Sequence, residues 1–345
     1  MARRSRPPFD FAGQQIAAGE RKTLDLPLSL LSTQTPMAIP VHIVHGKDEG
    51  PVLFLSGAIH GDEVNGIEII RRVLKSPAMA RLKGTLIAVP IVNVHGFISH
   101  SRYLPDRRDL NRSFPGSAKG SLSARLAHLF LEEVVSKADY GVDLHTATQH
   151  RTNWPQIRAD LDQSEADRLA QAFGAPVVLN ADLRPGSLRA AAQDLGIPVL
   201  VYEAGQALAF DEASIRIGVR GIIRLMHQIG MLRGRAARPP AAPVFSASSF
   251  WVRADEGGIV RPFVKLGAWV DQGQVLGVVS DPLGQTDLEV RAPEKGLIIG
   301  QSNLPAVNEG DALFHLARIR DHKSALSAIE RFRDEMDEHT ELPKA

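Results

Sequence analysis

From residue 51 to about residue 232, short apolar runs alternate with longer amphipathic stretches, and this alternation limits the folds open to the chain. A stretch with helical periodicity follows each run, and the five runs are 51–59, 85–94, 140–146, 175–180 and 198–205. Strands that are apolar throughout are typical of a sheet covered by helices on both faces. The pattern therefore predicts an α/β domain.

The sequence changes character after residue 232. RGRAARPPAAP (233–243) has the basic and Pro/Ala-rich composition of a linker. Beyond it, short Val-rich strands alternate with Gly-containing turns, and 257–281 resembles 295–317 as a weak internal repeat. Two related halves of this kind predict a small all-β sandwich. We therefore divide the chain into an α/β domain with an initial β segment, a linker, a β-sandwich and a charged C-terminal tail, at 1–232 (β segment 1–50), 233–243, 244–320 and 321–345.

Composition narrows the chemistry. The 345 residues include 40 Lys+Arg and 39 Asp+Glu, a balance that gives no reason to expect nucleic acid or an anionic membrane as a partner. The chain has no cysteine, so any metal must be held by His, Asp or Glu. The most apolar runs are far shorter than the ~20 residues that span a bilayer, and no apolar stretch follows the basic N-terminus. We expect a soluble, cytoplasmic protein.

Two histidines and a glutamate stand where apolar runs end. His60 and Glu63 lie three residues apart in SGAIHGDEVNG (56–66), so their side chains can converge on one ion. His145 ends the run YGVDLHT, and open α/β sheets bind ligands at the carboxyl ends of their strands. Two His and one Glu can hold zinc and leave a fourth position for water. Taken singly, His60 fits an ordinary surface histidine, and Glu63 fits a first-turn carboxylate favoured by the helix dipole.

Further polar residues extend this pattern. Asp143, two residues before His145, is either a carboxylate that orients the histidine or a buried hydrogen-bonding Asp. Glu203 ends the run 198–205, where it either exchanges protons with water and a leaving nitrogen or faces solvent. SRYLPDRRDLNRSFPG (101–116) gathers four arginines and an asparagine, which are natural partners of a substrate carboxylate or a developing oxyanion.

Together these motifs resemble the succinylglutamate desuccinylase/aspartoacylase family, which is related in fold to the zinc carboxypeptidases. The resemblance covers roughly residues 50–230. Besides Arg102, it is carried by H-G-D-E, D-L-N-R-x-F, D-L-H and E-x-G, which begin at His60, Asp109, Asp143 and Glu203. It implies a zinc-carboxypeptidase-like mixed sheet flanked by helices.

The resemblance also implies roles for the residues at the strand ends. His60, Glu63 and His145 match the ligands of one zinc ion per chain. Glu203 matches the general base and acid that activates the attacking water. Asp143 is assigned no role by the resemblance, and its position two residues before His145 keeps it a candidate for orienting that histidine.

The arginine-rich segment would contact the substrate. Arg102 matches the arginine that polarises the scissile carbonyl, although a longer stretch from Arg102 to Asn111 leaves Arg107 or Arg108 open for that role. Asn111 and Arg112 match the pair that grips a substrate carboxylate.

The C-terminal repeat resembles a biotinyl/lipoyl-like sandwich, with V-D-Q-G-Q from Val270 and V-N-E-G-D from Val307 at matching positions. Carrier domains of that type need a lysine at a hairpin tip. The corresponding turn SDPLGQT (280–286) contains no lysine. We therefore interpret this domain as a structural or gating lid.

The resulting hypothesis is a metal-dependent amidohydrolase that cleaves the linear, non-peptide amide bond of a small N-acyl amino acid or related N-acylated amine. A metallocarboxypeptidase acting on short peptides would share the ligands, but the appended β-domain favours a narrow entrance and a small substrate. A catalytically silent binding or scaffold protein would not need both the ligand set and Glu203. The sequence leaves the acyl group, the amine and the physiological metal open, and it is compatible with a homo-oligomer.

Overall fold

The computed structural model describes residues 6–319 and 322–337. In these residues the strands are β1 (Phe9–Phe11), β2 (Gln14–Ile16), β3 (Arg21–Leu30), β4 (Pro36–His45), β5 (Asp48–Gly57), β6 (Lys83–Val89), β7 (Tyr140–His145), β8 (Arg151–Ala159), β9 (Val177–Asn180), β10 (Val199–Gln206), β11 (Val244–Ser246), β12 (Ser248–Arg253), β13 (Gly258–Pro262), β14 (Trp269–Val270), β15 (Val275–Ser280), β16 (Asp287–Arg291), β17 (Gly296–Ser302), β18 (Ala306–Val307) and β19 (Ala312–Arg318). The α-helices are α1 (Asn65–Lys75), α2 (Val94–Ile98), α3 (Leu122–Glu133), α4 (Ser164–Phe173), α5 (Leu188–Asp194), α6 (Glu212–Gln228) and α7 (His322–Asp337). Short 3₁₀ turns lie at Pro77–Arg81, Leu110–Arg112 and Val135–Lys137.

One large mixed sheet organises most of the molecule, in the order β12-β19-β17-β8-β10-β7-β5-β6-β4-β3. Its centre is parallel, since β5 pairs in parallel with β6 and β7, and β7 with β10. Strand β4 pairs antiparallel with β6 and forms a hairpin with β3 at the edge. The predicted mixed α/β fold is confirmed. No helix in 6–319 or 322–337 has the length and apolar character needed to cross a membrane.

Two apolar clusters cover the two faces of this sheet. Leu55 and Tyr202 belong to the cluster that includes helices α1, α4 and α6. Phe54 belongs to the opposite cluster, where its ring meets that of Phe130 in α3 edge-on, with centroids 6.1 Å apart. Neighbours in a strand point to opposite faces, so Phe54 and Leu55 anchor different layers. Burying each such side chain contributes about 1.5–3 kcal/mol, which holds the strand ends, and the polar residues on them, in place.

The C-terminal strands are antiparallel. Strands β16, β15, β13 and β18 form a four-stranded sheet, and they share an apolar core with β12, β14, β17 and β19. The latter strands are not a separate sheet, because β17 pairs antiparallel with β8, where Gly300 lies opposite Asn153. Through β17, the C-terminal region (residues 244–319) thus continues the main sheet. Its likeness to lipoyl and biotinyl domains, its boundaries and its role as a lid stay predictions.

The two half-repeats of the C-terminal region build the same turn. Gly273 and Gly310 both have positive φ, at 79° and 83°. The backbone N–H of Gly273 donates to the carbonyl of Ala292, and that of Gly310 to the carbonyl of Ala254, each at 2.8 Å. The left-handed conformation, which favours glycine, explains why G recurs at these positions of the repeat.

The charged tail contains helix α7. Among the side chains of α7 that the structure describes, Ala325, Ile329 and Phe332 are buried, and their helical spacing places them on one face. Ala325 and Ile329 pack in a cluster with Val177 and Val244. Residues 321 and 338–345 of the tail lie outside the described residues.

Candidate active site

His60, Glu63 and His145 come together at the carboxyl ends of β5 and β7. One donor atom from each lies within 4.8 Å of the other two, and all three residues are buried. Nδ1 of His60 lies 2.8 Å from Oε1 of Glu63, and Nδ1 of His145 lies 2.8 Å from Oε2. The three residues predicted from the strand ends therefore form one group that could hold a metal ion.

A tight loop after β5 places the first two of these residues. The backbone N–H of Glu63 donates to the carbonyl of His60 at 3.1 Å, which closes a turn that brings both side chains to one side. Gly61 within this turn packs against α2 so closely that a Cβ there would lie 1.9 Å from the carbonyl carbon of Gly96. Any larger residue at position 61 would displace the loop, and with it both His60 and Glu63.

Each imidazole is also held by a carboxylate at its other nitrogen. Nε2 of His145 lies 2.7 Å from Oδ2 of Asp143, whose Oδ1 accepts a hydrogen bond from the Ser56 hydroxyl at 2.8 Å. Nε2 of His60 lies 3.1 Å from Oδ1 of Asp109. A histidine held in this way by a carboxylate presents its remaining nitrogen in a fixed direction, which is typical of metal sites.

Sequence reasoning singles out Asp143 but not Asp109. Asp109 opens the D-L-N-R-x-F motif and caps the 3₁₀ turn at Leu110–Arg112, since its side chain accepts from the N–H of Asn111. The motif therefore marks Asp109 as a candidate site residue, but it does not show that this aspartate contacts His60.

The charges in the group stabilise one another. Although burial opposes ionisation, the imidazoles of His60 and His145 hold the pKa of Glu63 far below its usual range. Burial would lower the pKa of His145, but Asp143 and Glu63 raise it well above its ordinary value. Glu63 and Asp109 likewise overcome burial and raise the pKa of His60. These carboxylates favour positive charge between the two imidazole rings. The donor atoms of His60, Glu63 and His145 therefore fit a divalent cation.

Arg102 completes the group. It donates from Nη2 to Oδ2 of Asp109 at 2.8 Å and from Nη1 to Oε1 of Glu63 at 3.2 Å. Burial lowers the pKa of Arg102, but Glu63 and Asp109 outweigh it and raise the pKa, so the guanidinium is charged. Arg107 and Arg108 are exposed and do not line the cavity at this site. Of the three arginines considered from the sequence, Arg102 is the one that the fold brings to the group.

Glu203 lies beside the group, three residues before the end of β10 and opposite His145 of β7. Its Oε2 accepts a hydrogen bond from Nδ2 of Asn153 at 2.9 Å, and its Oε1 lies 3.8 Å from Nε of Arg158. Both partners come from β8, a strand that the apolar pattern does not predict. Glu203 therefore faces the cavity with one oxygen held by an amide.

Asn111 and Arg112 lie on the same cavity wall. Oδ1 of Asn111 accepts a hydrogen bond from the backbone N–H of Leu188 at 2.8 Å, at the start of α5. Arg112 is exposed, and its Nη1 donates to the carbonyl of Asn111. The two residues predicted to bind a carboxylate are thus adjacent and both line the cavity.

The cavity that contains these residues has a volume of about 680 Å³. Six arginines line it: Arg102, Arg112, Arg151, Arg158, Arg184 and Arg189. The C-terminal strands contribute Ser249, Trp251 and His315, and the Trp251 and His315 rings stack with centroids 4.6 Å apart. Burial, followed by the field of Arg158, lowers the pKa of His315 to about 3, so this ring is neutral. The cavity has the charge and size for a small anionic molecule.

A second cavity of about 800 Å³ lies between the end of the linker and α7. Its lining side chains include Phe245, Ile319 and Ala328. Among the described residues its lining contains no His, Asp or Glu, so it offers no metal ligands. Size alone therefore does not identify the reactive site, whereas side-chain chemistry does.

Comparison with known proteins finds relatives of this arrangement. Residues 49–229 match the family model described as the succinylglutamate desuccinylase/aspartoacylase catalytic domain. The chain is 30% identical over 294 residues to the N-alpha-acetyl-L-2,4-diaminobutyric acid deacetylase of Halomonas elongata, a match that covers 81% of this chain and 86% of the relative.

Two solved structures share the fold over nearly their whole length. The succinylglutamate desuccinylase/aspartoacylase from Rhodobacter sphaeroides matches with a TM-score of 0.78 and 27% identity, over 87% of this chain and 96% of that one. The product-bound ectoine utilization protein EutE (DoeB) from Ruegeria pomeroyi matches with a TM-score of 0.80 and 25% identity, over 91% of this chain and 98% of that one. Both matches extend into the C-terminal strands.

Proposed function

This chain belongs to the succinylglutamate desuccinylase/aspartoacylase family, and from that membership we propose that it is a zinc-dependent deacylase of small N-acylated amino acids. One observation carries the proposal. A buried His60–Glu63–His145 group lies beside an ionisable Glu203 in an arginine-lined cavity. This arrangement combines a place for a metal, a group that exchanges protons and an anion-binding wall.

The ion would be held by His60, Glu63 and His145, because two imidazoles and one carboxylate suit zinc and leave a position open for reacting molecules. When bound, zinc supplies a Lewis acid that polarises a carbonyl and makes water more acidic. Asp109 and Asp143 hold the two rings so that the Nδ1 atoms stay directed at the ion.

The chain's own residues then have separate tasks. Glu203 accepts a proton from the attacking water and delivers it to the leaving nitrogen. Arg102, kept charged by Glu63 and Asp109, stabilises the negative charge that develops on the carbonyl oxygen. Both tasks require fixed side chains. Glu203 accepts a hydrogen bond from Asn153, and Arg102 donates one to Asp109.

The substrate would be anchored by its carboxylate. Arg112 and Asn111 line the wall of the cavity and are proposed to bind this group. The relative from Halomonas elongata is named for the deacetylation of an N-acetylated amino acid, which supports the same substrate class here. A metallocarboxypeptidase would use the same ligands, but side chains of the C-terminal strands line the cavity and favour a small substrate.

The proposal is tested by measuring amine release from a panel of N-acetyl and N-succinyl amino acids with the zinc-loaded protein. We expect hydrolysis of at least one member, its loss on treatment with a chelator, and its return when zinc is restored. No amine release from the panel, or cleavage confined to peptides, would overturn the assignment.

A further inference from the structure

We infer that Asn153 is a positioning residue for Glu203, and that strand β17 of the C-terminal region keeps Asn153 in place through Gly300. The inference rests on the proposed function, in which Glu203 transfers protons. Nδ2 of Asn153 donates to Oε2 of Glu203 at 2.9 Å, and Asn153 is 7% exposed. A buried amide that donates to a carboxylate fixes the rotation of that carboxylate.

The contact also distinguishes the two oxygens of Glu203. Oε2 is occupied by the Asn153 amide. Among the described residues Oε1 accepts no hydrogen bond, and its ion-pair partner Arg158 is 3.8 Å away at Nε. Oε1 is therefore the oxygen left to take a proton. Without Asn153 the carboxylate could rotate and exchange the two oxygens.

A bulge in β8 brings Asn153 to this position. Glu203 lies opposite Gln156, whereas Gly205 lies opposite Asn153, so β8 contains one residue more than β10 over this stretch. The extra stretch includes Pro155, which has no N–H to give to the ladder. Bulges of this kind change the direction of neighbouring side chains.

Gly300 makes room for the amide from the other side. It lies opposite Asn153 in the pairing of β17 with β8. A Cβ on Gly300 would lie 3.1 Å from Oδ1 of Asn153 and 3.0 Å from Cβ of His315. Both distances are shorter than ordinary van der Waals contact, so a Cβ at position 300 would press on the Asn153 amide and would also push β17 away from His315 of β19. The absence of a side chain at position 300 thus permits the contact with Glu203.

The test uses the full-length, zinc-loaded protein and steady-state kinetics on a substrate that the wild type hydrolyses. Asn153→Ala should lower kcat by ~10- to 100-fold, the effect of a misplaced reacting group, with KM and bound zinc unchanged. Asn153→Asp keeps the shape but replaces the donor by a carboxylate that repels Glu203, so it should lose at least as much. If the amide only filled space, Asn153→Ala would lower the melting temperature but keep the wild-type kcat.

Gly300→Ala tests the second half of the inference. It should lower kcat by a similar factor, yet add little in an Asn153→Ala background, because both changes act on one contact. Gly257→Ala is the matched control in the same C-terminal region, since its Cβ would meet no atom closer than 3.4 Å. It should leave kcat unchanged. Melting temperatures report on folding, and the two Asn153 variants decide the case if Gly300→Ala is unstable.

Wild-type kcat in both Asn153 variants, or fully additive losses in the double variant, would overturn this inference alone. A wild-type protein with no deacylase activity would overturn the proposed function and this inference with it.

Discussion

Nε2 of His145 lies 2.7 Å from Oδ2 of Asp143, two residues earlier on the same strand. Residues two apart in a strand share a face, so β7 carries a metal-ligand candidate and the carboxylate that orients it side by side. For His60 the equivalent carboxylate is Asp109, which is 49 positions away in the chain. One histidine is therefore oriented by its own strand, and the other by the folding of a distant loop.

Asp143→Asn should weaken zinc binding by ~10- to 100-fold, because the neutral amide supports the His145 ring less well than a carboxylate. The measurement is competition for zinc against a chromophoric chelator. Asp194→Asn, at an exposed position, serves as the control and should bind zinc like the wild type. Equal affinities for the two variants would contradict a supporting role for Asp143.

His145→Ala should strip most of the zinc, because the two donors that remain leave a poorly closed site. Elemental analysis of the purified protein measures the zinc content per chain. His128→Ala, in α3 and away from the cavity, should keep its zinc. A full zinc complement in His145→Ala would show that the ligand assignment is wrong.

Glu203→Gln should retain zinc but lower turnover by ~10²–10⁴, because the amide keeps the size of the side chain but cannot accept a proton. Zinc content and kcat are measured on the same preparation. If zinc and activity are lost together, Glu203 is instead a ligand of the metal.

Arg112→Ala should raise KM for a substrate that carries a carboxylate, with a loss in kcat/KM of about 1.5–3 kcal/mol, because it removes a remote ion pair. It should matter little for the same amide with a neutral group in place of the carboxylate. Arg102→Ala should lower kcat for both substrates, because charge develops on the carbonyl oxygen during the reaction. Equal losses of Arg112→Ala on the two substrates would exclude it as the carboxylate anchor.

Glu68→Gln should lower stability at neutral pH and much less in acid. Hydrogen bonds from Arg71, then from Arg72, lower the pKa of Glu68 to about 2 from the model-compound value of 4.5. Between these values the unfolded chain takes up the proton first, so this contribution to stability is complete above pH 4.5 and is lost as the pH falls towards 2. We expect a cost of about 1–3 kcal/mol at pH 7.

Urea unfolding midpoints at pH 7 and pH 3 measure this difference. Glu132→Gln, at an exposed position of α3, is the control and should match the wild type at both pH values. A Glu68→Gln defect that is the same at pH 3 and pH 7 would show that the charge of Glu68 is not its source.

The parallel centre of the sheet was predictable because its strands are buried on both faces and hence apolar along their whole length. Strand β8 was not, since its sequence RTNWPQIRA contains polar side chains that reach the cavity and a proline that interrupts its ladder. Asn153 and Arg158 were missed with it. The polar residues and the proline that make β8 hard to predict are also the features that place its side chains against Glu203.

The group of candidate metal ligands could be predicted because its members end a parallel strand or follow one closely, and the ends of parallel strands meet at one edge. The contact of Asp109 with His60 could not, because it depends on the path of an arginine-rich loop that has no periodicity. The pairing of β17 with β8 was equally hidden, since Gly300 and Asn153 are far apart in the chain and nothing in either segment marks the other as its partner.

That pairing has a consequence for any shortened form of the chain. Residues 151–153 of β8 complete their backbone hydrogen bonds on the outer side through β17. A chain ending in the linker at 233–243 would keep His60, Glu63, His145 and Glu203, but it would leave unpaired N–H and C=O groups beside them. Open strand edges recruit other chains. The C-terminal region therefore covers a strand edge that would otherwise pair with other chains. Its removal should produce aggregates instead of a smaller enzyme.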